Sequence, residues 1–411
     1  MLTASTARAL VADARASRDE VVCLTRELIG IPSESSRESA IALRVSEVLT
    51  GIGYDEVRID EVGNVLARIK GGGRGPSFML NGHLDHVPPG SMPDPYEGKV
   101  VSGSQFGTEG DVVYGRGAVD MKGALAAMIV SGALLKRRGL IPPGDFTLTF
   151  VVGEEIGGVG TKHLVSSGIR ADVVVVAEPS RLQIAIGHRG AAYARIHVQG
   201  RAAHVSMPYL GINAMYKACR VIDGIQALER TLPDDPFLGR MTMTACNMRL
   251  VPGADNVVPE EATVTLSARV TPGYTQEILV QALQGIINGA AKDDPEFQAT
   301  LEIDRYKGAF YASPGHPHVA AARAGVEEYL GYEPALIRWQ ASTDAPFLAG
   351  IPGATVIGFG PGREDFAHTE QDHVSVDDLV AATAAYALFP FLLGQDLSLA
   401  PPIVTGCAEC R

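Results

Sequence analysis

Short apolar runs alternate with helical stretches along residues 1–187, and this pattern is typical of an α/β domain with a mostly parallel sheet. Three of the runs, residues 78–80, 146–152 and 173–176, predict buried strands. Residues 121–138 predict a helix whose small side chains permit close packing on the sheet. The first part of the chain therefore predicts a layered domain of helices on a sheet.

The pattern changes at Gly190. The segments that follow predict the order βαββαβ, at residues 191–198, 212–228, 241–250, 262–270, 276–287 and 297–306. That order is the split unit of a ferredoxin-like α+β domain, which closes on itself and can be inserted into a host domain. The α/β pattern resumes from Ala309, so we predict a discontinuous domain, residues 1–188 and 308–411, around an insert, residues 189–307.

Composition limits the possible partners. A chain of 411 residues, 46% of them hydrophobic, exceeds the size at which one core stops growing, which agrees with two domains. A net charge of -12 without a lysine or arginine run argues against nucleic acid or an anionic membrane as partner. The N-terminus has no continuous apolar segment, and no stretch approaches the roughly 20 apolar residues of a transmembrane helix, so we expect a soluble cytoplasmic protein.

The five cysteines are scattered and odd in number, which does not indicate a disulfide framework. Only Cys407 and Cys410 have C-x-x-C spacing, and they follow a segment that predicts neither a strand nor a helix. We interpret them as part of a terminal tail rather than as a metal or redox site.

Acidic side chains and histidines stand directly after the predicted strands and in two further motifs. The carboxyl ends of parallel strands meet at one edge of a sheet, where ligands collect, so we expect these side chains to lie together. Carboxylates and imidazoles are ligands that divalent ions accept, and together they predict a two-metal hydrolytic site. The residues are His83, Asp85, Asp120, Glu154, Glu155, Glu178 and His368.

Single motifs have simpler alternatives. His83 and Asp85 are two residues apart, so the imidazole can bind a metal while the carboxylate accepts the other ring N–H; alone, His83 would be an ordinary loop histidine. Asp120 enters a predicted helix, where it either caps the helix or bridges two ions. Glu154 and Glu155 are either two solvated residues that open a loop, or one metal ligand and one general base to a water on the metal.

These motifs, in this order, resemble the metal-dependent family that includes aminoacylase, carboxypeptidase G, succinyl-diaminopimelate desuccinylase and acetylornithine deacetylase. The resemblance covers nearly the whole chain, and it implies a three-layer zinc-peptidase-like catalytic domain with an inserted dimerisation domain. It implies two divalent ions, for which zinc is expected, although cobalt and manganese suit the same ligands. The ligand sets it implies are His83, Asp120 and Glu178 for one ion and Asp120, Glu155 and His368 for the other, with Asp85 orienting His83 and Glu154 as general base.

The insert also has positions that match the family. The resemblance implies that His204 reaches the active site of the partner subunit and stabilises the oxyanion; without it, His204 would be a loop histidine. Asn256 and Arg269 match positions that hold the substrate carboxylate or the polarised carbonyl. An arginine fork can bind a carboxylate bidentately, and a surface salt bridge is the alternative for Arg269.

Two features depart from the family pattern. Asp372 stands four residues after His368, where the family often has glutamate. The spacing of residues 93–113 suggests an extra loop near the site, which would affect the choice of substrate.

We therefore predict a zinc-dependent amidohydrolase that cleaves the amide bond of an N-acyl amino acid or small peptide with a free carboxylate. A water bridging the two metals and activated by Glu154 would attack the carbonyl. A dipeptidase or carboxypeptidase, and an N-carbamoyl amino acid amidohydrolase on the same scaffold, are the alternatives. The resemblance implies a homodimer.

Overall fold

The structure is a computed structural model in which residues 2–393 are described, so Cys407 and Cys410 lie outside the described residues. The described chain divides into two compact units. Unit 1 contains residues 2–187 and 312–393, and unit 2 contains residues 188–311. The domain borders predicted from the sequence lie at 188/189 and 307/308.

The helices and strands of residues 2–393 are numbered in chain order. The helices are α1 Ala4–Ala16, α2 Arg18–Ile29, α3 Ser39–Ile52, α4 Gly123–Arg137, α5 Val159–Ser166, α6 Ala214–Glu229, α7 Gln276–Ala291, α8 Pro317–Leu330, α9 Ala345–Leu348 and α10 Val376–Leu392. The strands are β1 Glu56–Ile59, β2 Val65–Ile69, β3 Phe78–His83, β4 Lys99–Ser102, β5 Asp111–Tyr114, β6 Phe146–Val151, β7 Val173–Val176, β8 Ile184–His188, β9 Gly190–Gln199, β10 Ala203–His204, β11 Asp234–Asp235, β12 Gly239–Arg240, β13 Thr242–Val251, β14 Val257–Val258, β15 Glu261–Val270, β16 Gln298–Lys307, β17 Phe310–Tyr311, β18 Leu336–Trp339, β19 Thr355–Gly358 and β20 His373–Ser375.

Unit 1 is built on a mixed sheet with the strand order β1-β2-β6-β3-β7-β19-β8. Strands β6, β3, β7 and β19 run parallel at its centre, while β1, β2 and β8 are antiparallel to their neighbours. All four residues of β7 are valines and all are buried, as expected for a strand with helices on both faces. Helices α4 and α10 contact β3, and α3 contacts β1 and β2. The predicted α/β class is confirmed, and parallel pairing is confined to the centre of the sheet.

The segment between His83 and Asp120 forms a hairpin where the sequence suggested a loop. Strands β4 and β5 pair antiparallel, and β20 pairs with β5, so a small sheet has the order β20-β5-β4. The Phe106 ring, between the two hairpin strands, stacks on Tyr114 of β5 and on His373 of β20, with centroid distances of 5.5 and 4.5 Å. This sheet joins the segment that precedes Asp120 to the segment that follows His368.

Unit 2 has the chain order β9-α6-β13-β15-α7-β16, which is the predicted βαββαβ order. Its four-stranded sheet is antiparallel throughout, with the strand order β13-β15-β9-β16. Helix α7 buries Leu279, Leu283 and Ile287, one residue per turn, and its N-terminus is capped by the Thr275 hydroxyl. The unit therefore has its own hydrophobic core, formed by one face of the sheet and the apolar faces of α6 and α7.

One helical segment, Ala118–Arg137, is long and apolar enough to cross a membrane by length and composition alone. The expectation from the sequence concerned a run of roughly 20 apolar residues, and charged residues stand near both ends of this segment, at 120, 122, 136 and 137. Almost all of the segment is buried inside the protein, and α4 contacts α2, α10 and β3. A helix that is apolar on all sides is typical of a protein core as well as of a membrane span, and here its packing identifies a core helix.

Candidate metal centre

The carboxyl ends of the three central strands carry the predicted ligands to one edge of the sheet. His83 is the last residue of β3 and lies opposite Val151 of β6, three residues before Glu154. Glu178 follows the end of β7 by two residues. Ligand atoms of His83, Glu154 and Glu178 lie within 4.8 Å of one another. The parallel register therefore brings together side chains that are far apart in the sequence, as predicted from the strand ends.

Asp120 lies between the two histidines. Its Oδ1 is 2.8 Å from Nε2 of His83, and its Oδ2 is 3.1 Å from Nε2 of His368. Glu178 Oε1 is 3.7 Å from the His83 Nε2, while Glu155 Oε1 is 2.8 Å from the His368 Nε2. Each oxygen of one carboxylate thus faces a different imidazole, and each imidazole has a second carboxylate beside it. This donor set fits two divalent ions that share the Asp120 carboxylate.

The orientation of His83 differs in one detail from the prediction. Its Nδ1 donates to the backbone carbonyl of Asp85 at 2.8 Å, whereas the Asp85 Oδ1 is 3.6 Å away. The Asp85 carboxylate instead accepts the backbone N–H groups of Glu154 and Glu155, at 3.0 and 3.2 Å, and the hydroxyl of Ser35 at 2.7 Å. In a neutral His83, the hydrogen bond to the Asp85 carbonyl keeps the proton on Nδ1, so the Nε2 lone pair faces Asp120. The Asp85 carboxylate positions Glu154 and Glu155 through their backbone N–H groups.

His368 reaches the site from a distant part of the chain. It has a φ of 61°, in the left-handed region that few residues other than glycine adopt. Its Nε2 contacts both Glu155 and Asp120, so the structure brings all seven predicted side chains into one cluster within unit 1. Non-glycine residues in this region are concentrated at functional sites, where the surroundings hold them.

The charges of the cluster shift the ionisation of its members. Burial lowers the pKa of His83, but the Asp120 hydrogen bond and the charge of Glu178 outweigh it and raise the pKa well above its ordinary value. Hydrogen bonds to Asp120 and Glu155 raise the pKa of His368 to about 10. Burial acts to raise the pKa of Asp120, but the two histidines hold it well below its usual range. Burial and the neighbouring charge of Asp120 raise the pKa of Glu178 well above its ordinary value. Without metal, the two imidazoles therefore hold their protons beside an ionised Asp120.

We expect zinc binding to release protons, and the affinity to increase with pH. An imidazole must be neutral to bind a metal, and below the His368 pKa of about 10 a proton competes with the ion. Raising the pH toward that value removes the competitor. Calorimetric titrations of the metal-free protein at several pH values, in buffers of different ionisation enthalpy, measure both effects. An affinity that does not change with pH, with no proton release, would contradict this expectation.

The sequence analysis did not identify two residues that lie near the site. Ser35 donates to Asp85 from a segment about 50 positions earlier, and no local pattern marks it. Lys122 is fully buried, two residues after Asp120, and its ammonium donates to the backbone carbonyl of Ile31 at 2.7 Å. Burial lowers the Lys122 pKa to about 7. A lysine directly before the apolar core helix α4 is the sequence signal that could have identified it, because buried lysines are rare.

The other predicted residues lie in unit 2. His204 is exposed on β10, which pairs with β14, and its Nδ1 is 2.8 Å from the Ser206 hydroxyl. The backbone carbonyl of Asn256 accepts from Val205 N at 3.3 Å, so the structure places Asn256 beside the His204 strand. Arg269 lies near the end of β15, with its guanidinium 5.8 Å from the ring centroid of Tyr193. The roles of these residues stay predictions.

Comparison with known proteins identifies the family. The sequence model of peptidase family M20/M25/M40 matches residues 79–390, and this range includes every predicted site residue. The chain belongs to this family. The Escherichia coli (strain K12) protein YgeY is 31% identical over 382 residues, which cover 89% of this chain and 92% of YgeY. A succinyl-diaminopimelate desuccinylase of Alkalilimnicola ehrlichii is 29% identical over 383 residues, 89% of this chain and 97% of that enzyme.

A solved structure has the same fold as this M20/M25/M40 member. The M20 family metallo-carboxypeptidase Sso-CP2 of Sulfolobus solfataricus matches with a TM-score of 0.75 at 17% identity. The match covers 91% of this chain and 99% of that chain. The family resemblance and the zinc-peptidase-like fold predicted from the motifs are therefore confirmed, and the chain is a hydrolase of a metallopeptidase family.

Proposed function

We propose that this protein is a two-metal amidohydrolase that cleaves the amide bond of an N-acyl amino acid, or of a small peptide, with a free carboxylate. The observation that carries the proposal is the Asp120 carboxylate, whose two oxygens face Nε2 of His83 and Nε2 of His368. A single carboxylate between two imidazoles suits a pair of divalent ions, and neither a helix cap nor a surface ion pair accounts for it.

The ligands divide into two sets around Asp120. His83 and Glu178 would hold one ion, and Glu155 and His368 would hold the other, with Asp120 shared between them. Zinc suits these nitrogen and oxygen donors, and cobalt and manganese suit them too. When bound, the two ions supply Lewis-acid polarisation of the scissile carbonyl and lower the pKa of water in the site.

Glu154 would act as the general base. Glu154 is buried, and its backbone N–H donates to the Asp85 carboxylate, which holds the residue beside His83 and Glu178. In this role, the carboxylate takes a proton from the attacking water while the new C–O bond forms at the carbonyl carbon. It then delivers that proton to the amine nitrogen as the C–N bond breaks, which returns Glu154 to its starting state.

Unit 2 would complete the site in a homodimer. The segment around His204 exposes the apolar side chains of Val205, Met207, Tyr209 and Leu210, and Tyr209 is 78% exposed. Four exposed apolar side chains within six consecutive residues are typical of an interaction surface. In the proposed dimer, His204 would donate to the oxyanion of the partner site, and Asn256 and Arg269 would bind the substrate carboxylate or carbonyl. The cytoplasmic location stays a prediction.

The names of the similar proteins favour two substrate classes. The desuccinylase removes an acyl group from an amino acid, and Sso-CP2 is a carboxypeptidase. We favour the deacylase for this chain, with a dipeptidase or carboxypeptidase as the second candidate. An N-carbamoyl amino acid amidohydrolase would use the same site, but would release ammonia and carbon dioxide instead of an acid.

The test combines metal analysis with a substrate panel. The purified protein, reconstituted with zinc, is incubated with N-acetyl, N-succinyl and N-carbamoyl amino acids and with dipeptides, and the release of amine and ammonia is measured. We expect two bound ions per chain, turnover that a chelator abolishes, and preference for one acyl class. Absence of both metal binding and turnover after reconstitution with zinc, cobalt or manganese would refute the proposal.

A further inference from the structure

Asp372 follows His368 by four residues and contacts the segment that leads to Asp120. Strand β20 pairs antiparallel with β5, and His373 lies opposite Tyr114 at the end of this ladder. Beyond Tyr114 the chain runs through residues 115–119 to Asp120, and before His373 it comes from His368. Because the pairing is antiparallel, Asp120 and His368 extend from the same end of the ladder. Asp372 directly precedes His373, at the same end of the ladder.

The Asp372 carboxylate is bonded entirely to the segment that leads to Asp120. Its Oδ1 accepts the backbone N–H of Val119 at 2.9 Å. Its Oδ2 accepts the backbone N–H of Gly117 at 2.7 Å and Nη1 of Arg116 at 3.0 Å. The Asp372 backbone carbonyl also accepts from Gly115 N at 3.1 Å. Four donors from five consecutive residues therefore converge on one side chain and its carbonyl, and the last of them is adjacent to Asp120.

These bonds form inside the protein. Asp372 is 1% exposed and Arg116 is 3% exposed. The Arg116 Nη2 lies 3.4 Å from the Pro89 carbonyl, and its backbone N–H donates to the Pro95 carbonyl at 2.7 Å. A buried carboxylate that accepts charge-assisted and backbone bonds together fixes its donors more firmly than a solvated one does. The turn before Asp120 is thus held to the strand after His368.

We propose that Asp372 is a positioning residue, which sets the distance and orientation of Asp120 relative to His368 and so controls metal affinity; this inference rests on the proposed two-metal function. Asp120 has to present one oxygen to each imidazole, and a small rotation of residues 117–119 would misdirect both. Partners that orient metal ligands typically contribute a factor of about 10–100 in metal affinity. The aspartate that departs from the family pattern therefore supports Asp120 rather than His368 directly.

The test compares Asp372→Asn with Asp294→Asn in unit 2. An asparagine at 372 has the same size, but its NH₂ group faces an N–H donor and Arg116 loses its counter-ion. Asp294 is a matched control because it also accepts from two cations, Lys217 and Arg220, and from a backbone N–H. Zinc affinity is measured by competition with a chromophoric chelator, ligand geometry by the visible spectrum of the Co²⁺ form, and stability by thermal unfolding of the metal-free proteins.

We expect Asp372→Asn to weaken zinc binding about 10–100-fold and to change the Co²⁺ spectrum. Asp294→Asn should bind zinc and cobalt as the wild type does, even where its thermal midpoint falls. Wild-type affinity and an unchanged spectrum in Asp372→Asn would overturn the inference and leave the two-metal proposal intact. A wild-type protein that binds no metal would overturn both.

A second variant covers the case in which Asp372→Asn does not fold. Asp372→Glu keeps the negative charge for Arg116 but moves the carboxylate by one methylene relative to the N–H groups of Gly117 and Val119. We expect it to remain folded with a changed Co²⁺ spectrum and an affinity between those of the wild type and a variant without the carboxylate. A spectrum and affinity identical to the wild type would then count against a positioning role.

Discussion

Replacement of Glu154 by glutamine is expected to lower kcat by a factor of about 10²–10⁴ while both ions remain bound, because general-base catalysis contributes about that much. The glutamine has the same shape, and its backbone N–H can still donate to Asp85, so the loop keeps its position. The amide oxygen, however, is far too weak a base to take a proton from water. In the proposed arrangement Glu154 belongs to neither ligand set, so metal affinity should change little.

Glu38→Gln is the matched control. Glu38 is also buried, and its Oε1 accepts the backbone N–H of Gly153, the residue before Glu154. A glutamine oxygen can keep that bond, so this variant tests whether a neutral amide near the loop is harmful in itself. We expect near-wild-type kcat for Glu38→Gln in steady-state assays on the best substrate of the panel, with metal content determined in parallel. Near-normal turnover in Glu154→Gln would remove Glu154 from the role of base.

Strand ends were the part of the site that the sequence could predict. Periodicity locates β3, β6 and β7, and the rule that ligands gather beyond the carboxyl ends of parallel strands places His83, Glu154 and Glu178 together. The three strands are in fact neighbours in the order β6-β3-β7. Sequence alone could not give that order, because strand neighbours are set by packing between distant segments. The sequence could still predict that the three side chains lie together, because the carboxyl ends of parallel strands meet at the same edge of the sheet in any strand order.

Partners of the carboxylates could not be predicted, because they depend on backbone groups far away in the sequence. The H-x-D spacing indicated a bond between the Asp85 side chain and His83, but the Asp85 carboxylate is occupied by two N–H groups about 70 positions later. The hairpin β4–β5 was missed for a related reason. Its strands are four residues each, and β4 alternates between half-buried and exposed positions, which leaves a weak apolar signal. Only pairing with β20 makes its place in the fold evident.

The limits of helix α4 show how local chemistry can override periodicity. The apolar pattern predicted a helix from residue 121, but α4 begins at Gly123, and residues 118–122 form an irregular turn in which Asp120 and Met121 have non-helical dihedral angles. In this turn the Asp120 side chain faces His83 and His368. A functional residue at an element boundary is where sequence patterns are expected to fail.

Replacement of Asp120 by asparagine is expected to have the largest effect on metal content, because it weakens both ions at once. An asparagine offers one oxygen, so it can face either His83 or His368 but not both, and it removes the negative charge that the two proposed cations would share. Glu178→Gln and Glu155→Gln, each beside one histidine, should weaken one ion predominantly. Metal analysis after dialysis against buffered zinc would distinguish these patterns.

Asp60→Asn is the control, because the Asp60 side chain caps a loop through the N–H groups of residues 62–64. It should retain both ions. Proton competition cannot account for a loss of metal affinity in Asp120→Asn, because the His368 pKa would change in the opposite direction. Asp120 and Glu155 raise the pKa of His368 to about 10 in the metal-free protein, so removing the Asp120 charge lowers that pKa and favours the neutral imidazole that binds metal. Weaker binding in spite of this gain would have to come from the lost ligand, whereas two ions held at wild-type affinity would mean that Asp120 does not bridge them.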